Sequence, residues 1–123
     1  MRVSRAERQQ EMEISGTTAE FLELARMVRA GEGVVQLNTT GDPWPYDHLL
    51  SVLEVHAATQ AVVIRRSGDT LTLAGGATAM GVLALVIEDL AADEPGADVQ
   101  IDYFPDHVYL GEGSRPMILV LTG

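Results

Sequence analysis

Apolar residues recur along this chain with two periods, and the same succession of periods runs through it twice. Met12-Glu13-Ile14-Ser15-Gly16 alternates apolar and polar side chains, the period-two signature of a half-buried strand. Thr17-Thr18-Ala19-Glu20 then reads as a capping box, with Thr17 at the N-cap and Glu20 three positions on. Phe21, Leu24, Ala25 and Val28 follow at i, i+3, i+4 and i+7, one face of a helix. Arg26 and Arg29 stand near its C-terminus, where cations complement the helix dipole, and Gly31 is a natural stop. Val34 to Thr39 and Ser51 to His56 read as strands. Between them Gly41-Asp42-Pro43-Trp44-Pro45 must be a loop, because its prolines and glycine cannot continue a strand interior.

The second half starts with a hairpin pattern. Ala61 to Arg66 and Thr70 to Leu73 read as strands joined by the turn Ser67-Gly68-Asp69. A helix is predicted from about Thr78 to Ala91, with Met80, Leu83, Ala84 and Ile87 placed 59 positions after Phe21, Leu24, Ala25 and Val28. No charged residue occurs from Ala79 to Ile87, so this helix is predicted to be covered on more than one side, by the domain, a partner or a second copy. Val99 to Phe104 and Met117 to Leu121 complete the strands. The unbroken apolar run of the last predicts a strand covered on both faces. An offset of 59 relates the two strand–Gly segments, the helices and the Asp47-His48 and Asp106-His107 pairs. An offset of 64 relates Val34–Asn38 to Asp98–Asp102.

The predicted fold is therefore α+β, with duplicated β-α-β-β-type units at about residues 12–56 and 61–121 and two helices packed on a mostly antiparallel sheet. Residues 12–123 form a single domain behind a polar N-terminal arm, residues 1–11. If that arm mirrors Val62–Arg66, it is a strand paired with Met12–Ser15; its polarity equally suits a disordered or helical segment.

Composition narrows the chemistry. The 123 residues suffice for one domain with a real core. There is no cysteine, which excludes disulfides, thiol catalysis and cysteine-rich metal sites. Net charge is −10 and all eight basic residues are arginine, so direct nucleic-acid binding is disfavoured, and the acidic surface suits either solubility alone or a basic protein partner. Residues 1–11 lack the apolar run of a secretory signal, and the longest apolar run, Ala79 to Ile87, is nine residues. A membrane span needs roughly 18 to 20. The expectation is a cytoplasmic protein without membrane insertion.

Five of the six aromatics fall in two segments. Trp44 and Tyr46 follow one strand; Tyr103, Phe104 and Tyr109 stand at the corresponding place in the second unit. Together with Asp42, Asp47, Asp102 and Asp106 they form the candidate partner-binding set, because aromatics anchor interfaces and proline lowers the entropy lost on ordering a loop. The competing explanation is that these rings plug the ends of the core. His48 and His107, with Asp47, Asp106, His56, Glu54 or Asp102, are the candidate metal ligands. Adjacent loop residues seldom share an ion and no HExxH spacing occurs, so no metal or cofactor is assigned. Ser114, His107 and Asp106 lack the context of a nucleophile, and Gly75-Gly76 belongs to no phosphate-binding motif. Glu88, Asp89, Asp93 and Glu94 crowd a predicted helix C-terminus, where they oppose the dipole.

The run Leu71-Thr72-Leu73-Ala74-Gly75, the alanine- and leucine-rich helix, Val99-Gln100-Ile101-Asp102-Tyr103, Asp106-His107-Val108-Tyr109-Leu110 and Gly113-Ser114 before a closing apolar strand resembles immunity protein family thirty-two of bacterial polymorphic-toxin systems. The resemblance covers roughly residues 61–121. It implies a non-enzymatic inhibitor that blocks a toxin domain. A small metal-dependent enzyme using the Asp-His loops and a structural homodimer-forming domain are the competing readings.

Overall fold

The computed structural model describes residues 1–5, 11–42, 44, 46 and 48–123. The elements run β1 (Arg2–Arg5), β2 (Met12–Gly16), α1 (Thr18–Ala30), β3 (Glu32–Gln36), β4 (His48–Leu49), β5 (Val52–Ala57), β6 (Val63–Ser67), β7 (Thr70–Gly75), α2 (Ala77–Ala91), β8 (Asp98–Ile101) and β9 (Met117–Leu121). The fold is α+β. The strands form two sheets where one was expected: a five-stranded sheet in the order β4-β1-β2-β9-β8 and a four-stranded sheet in the order β3-β5-β7-β6.

Local chemistry sets the first helix as its sequence predicts. The Thr17 hydroxyl accepts from the Glu20 amide at 3.2 Å, and the Glu20 carboxylate accepts from the Thr17 amide at 2.9 Å. Gly31 closes the helix at φ 75°, donating to the carbonyls of Met27 and Val28. α2 has no such cap: Gly76 stands at its N-cap without a side-chain hydrogen bond.

Residues 2–5 are a strand, antiparallel to β2, with Val3 opposite Ile14 and buried. A single apolar residue among polar ones sufficed, because Leu49 on β4 pairs with Ser4 on the other side. The remaining residues of the predicted arm, 6–10, lie outside the described set.

Both sheets are assembled alike. A hairpin from one half of the chain lies beside a hairpin from the other half, and each join is parallel: β2 beside β9, and β7 beside β5. Met12 opposite Met117 corresponds to Leu71 opposite Leu53, with offsets of 59 and 64. For the outer strands, Val35 opposite Leu53 corresponds to Ile101 opposite Met117. The positional offset of β8 from β3 is thus 66 rather than 64. A slip of two keeps every side chain on its face, so alternation alone does not distinguish the two registers.

One face of each sheet and one stripe of each helix meet in a single core. Met12, Ile14, Leu119 and Leu121 come from the first sheet, and Leu53, Val55, Leu71 and Leu73 from the second. Phe21, Leu24, Ala25 and Val28 join from α1, and Met80, Leu83, Ala84 and Ile87 from α2. The two helices pack against each other more extensively than any other pair of elements. Ala25 and Ala84, at matching positions of the two helices, are both fully buried.

One burial expectation needs correction. β9 is buried on one face only, through Met117, Leu119 and Leu121. Ile118 and Val120 are half-buried, with Glu13 and Gln100, and Ser15 and Asp98, beside them in the sheet. In α2 the domain covers one stripe, while Ala79, Val82 and Val86 are half-buried and Leu85 is 54% exposed, so of the covers expected for this helix the domain supplies only part.

Candidate protein-docking site

The segment between β8 and β9 is a built loop. Gln100 donates to the Asp102 carboxylate at 2.8 Å as the strand ends. The His107 amide then donates to the Phe104 carbonyl at 3.0 Å, closing a four-residue turn with Pro105 and Asp106 at its centre. Asp106 takes φ 67°, the only non-glycine residue with positive φ among the described residues. Proline followed by a positive φ is the chemistry of a type II turn, and aspartate is among the few side chains that tolerate it.

The His107 ring fixes the next stretch of chain. Its Nδ1 accepts from the backbone amides of Tyr109 at 3.2 Å and Leu110 at 3.0 Å. Phe104 lies against one part of the ring at a centroid distance of 4.6 Å. Tyr109 meets it edge-on, also at 4.6 Å. Beyond the ring the chain is stitched to the edge of β6. The Val62 amide donates to the Tyr109 carbonyl, the Gly111 amide to the Val62 carbonyl, and the Arg115 amide to the Ile64 carbonyl. Ser114 is spent on the same edge, accepting from the Ile64 amide and donating to the Val62 carbonyl. Its hydroxyl therefore acts as a structural bridge.

This scaffold presents Tyr103, Phe104 and Val108 to solvent, at 37, 57 and 84% exposure, with Asp102 and Asp106 exposed among them. Tyr109 points the other way. It is buried, which raises its hydroxyl pKa, so it supports the loop from beneath rather than facing a partner.

The first loop is organised differently. The Asp42 carboxylate accepts from the Trp44 amide at 3.0 Å, an Asx turn that leaves the indole 78% exposed. Tyr46 is half-buried; burial, then the carboxylates of Glu13 and Glu11, raises its hydroxyl pKa. Asp47 lies outside the described residues. This loop ends at β4, an edge of the five-stranded sheet, whereas the Tyr103–Val108 segment continues along the β6 edge of the four-stranded sheet. The eight described residues among those singled out in sequence thus divide between two loops, one entering β4 and the other leaving β8, at opposite edges of the five-stranded sheet.

The candidate metal ligands do not gather. His48 is on β4, opposite Arg5, and His56 is on β5, 3.4 Å from Glu54. His107 has Nδ1 occupied by backbone donors. No group of three or more His, Asp or Glu side chains suited to a metal ion occurs among the described residues. No described helix is long and apolar enough to cross a membrane.

Val108 had no signal in the sequence, whereas the α2 flank belongs to the helix whose uncharged run, Ala79 to Ile87, predicted cover on more than one side. Val108 lies in a bend outside any strand and faces solvent, whereas the next two residues, Tyr109 and Leu110, are both buried. A shallow groove joins Val108 to the flank through Thr59, Gln60, Ala61, Thr78, Ala79 and Val82. No protein-family model, no curated protein and no solved structure matches this chain.

Proposed function

We propose that this chain is a non-enzymatic binding protein for a basic protein partner, and that it serves as an immunity-type inhibitor of a bacterial toxin domain in the cytoplasm. The observation that carries the reading is the Tyr103–Val108 turn. His107 packs against Phe104 and binds the backbone amides of Tyr109 and Leu110, so the turn that carries the exposed apolar side chains is ordered in advance and less conformational entropy remains to be lost when a partner covers it. Asp102 and Asp106 flank them, and the net charge of −10 extends the same sign over the whole molecule. Such a field raises the encounter rate with a basic surface, such as that of a toxin that grips phosphate. The resemblance of residues 61–121 to immunity protein family thirty-two supports the inhibitor form of the reading.

Affinity capture at low salt, with mass spectrometry of the retained proteins, tests it. The expected result is a stoichiometric basic protein that dissociates at high salt and is not retained by a folded Asp42→Lys/Asp102→Lys/Asp106→Lys variant. Retention by that variant at wild-type level sinks the proposal.

A further inference from the structure

We infer that the uncovered flank of α2, together with the groove between α2 and β8, is a docking track for a partner segment that is aliphatic along one stripe and ends in arginine or lysine. The inference rests on the binding-protein reading proposed for the turn and extends it to the helix.

The track begins at Val108 and passes Ala79 and Val82 across the groove beside the N-terminus of α2. It continues over Leu85, the exposed large apolar side chain of the helix, to Val86. An isolated exposed leucine needs no explanation, but a flank of four aliphatic side chains on one helix, continuous with Val108, is an apolar stripe.

The far end has a different chemistry. Val86, Leu90 and Val99 form the floor of a second groove, and Asp89, Asp93 and Asp98 stand around it. Glu88 is paired with Arg29, but none of these three aspartates has an ion-pair partner among the described residues. They also surround the C-terminus of a helix with no basic residue in its last turn, so the dipole adds to their negative potential. An aliphatic floor ringed by carboxylates matches an arginine or lysine side chain, whose stem packs on apolar surface while its head meets anions. A second copy of this chain fits less well, because it would bring its own carboxylates to a uniformly negative end.

Titration of the ¹⁵N-labelled full chain with two blocked helical peptides tests the inference. One carries leucine–arginine heptads, the other the same leucines with glutamate. The arginine peptide is expected to shift the amides of Val82, Leu85, Val86, Val99 and Val108. Its affinity should fall about tenfold or more in Leu85→Glu and in Asp89→Lys/Asp98→Lys, both substitutions of exposed residues. Equal binding of the glutamate peptide, shifts confined elsewhere, or a dimer that closes over α2 in sedimentation equilibrium would overturn it. A captured partner that tolerates the α2 variants but is lost with Phe104→Ala overturns this inference and leaves the binding-protein reading standing. The reverse pattern keeps the track and removes the turn.

Discussion

Arg29 and Glu88 hold matching positions on α1 and α2, 59 residues apart, and their side chains form an ion pair that joins the helices. In one helix the position carries the cation that suits a C-terminus; in the other it carries an anion that does not. The pair thereby relieves the unfavourable charge of the second helix with the favourable charge of the first. Both side chains remain well exposed, so the coupling is small: a double-mutant cycle of Arg29→Ala and Glu88→Ala should give about 0.2–1 kcal/mol, decreasing as salt is raised. A larger, salt-independent coupling would contradict this assignment.

His107 accepts two backbone hydrogen bonds from partly buried amides, so its removal leaves both donors without their acceptor. His107→Ala is expected to cost about 1–3 kcal/mol in urea denaturation and to broaden the amide signals of residues 103–110. Asparagine, whose side chain can still accept, should recover part of the loss. A thermodynamically silent alanine variant would show that the ring does not hold the turn.

Gly16 and Gly75 end the corresponding strands β2 and β7, yet they differ in room. A Cβ on Gly75 would lie 2.9 Å from the Cα of Val62, whereas one on Gly16 would meet nothing closer than 3.4 Å, at the end of the Met1 side chain. Gly75→Ala should therefore destabilise by about 1–3 kcal/mol. Gly16→Ala should stay within about 1 kcal/mol of wild type. Comparable thermal shifts in the two variants would contradict the packing described.

Glu20 carries an acid-sensitive part of the stability. Hydrogen bonding to the Met1 ammonium, then to the Thr17 amide, holds its carboxyl below the ordinary value of 4.5. The folded state therefore favours the ionised form. Its contribution is present above pH 4.5 and is lost as pH falls through the lower folded value. Glu20→Gln should flatten stability against pH in that acid range, as read by urea midpoints. An unchanged slope would show that the carboxylate is not held in this way.

Much of this architecture was legible because it is encoded locally. Thr17, Glu20 and Gly31 bracket α1 through contacts a few residues apart, and Ser67-Gly68-Asp69 sets the β6–β7 turn in the same manner. The division into two sheets was not legible, since it depends on β2 meeting β9 and β5 meeting β7, pairings between distant residues that alternation does not specify. β1 was obscured by its polarity; its place follows from being covered by β4, itself two residues long. At the candidate site, composition located the aromatic loops but not their facing. Tyr109 is buried and Val108 exposed because the chain crosses to β6 at Leu110, which pairs with Val62, and no local signal marks that crossing.

The exposed apolar residues of the Tyr103–Val108 turn are the central element of the proposed docking of a basic partner. Isothermal titration of the captured partner against wild type and Phe104→Ala/Val108→Ser, at two salt concentrations, tests their role most directly. Both substitutions are at exposed positions, so the fold should persist. The expected result is affinity at least about tenfold weaker in the variant, and weaker binding of wild type at the higher salt. Unchanged affinity in a folded variant, or binding indifferent to salt, would contradict it.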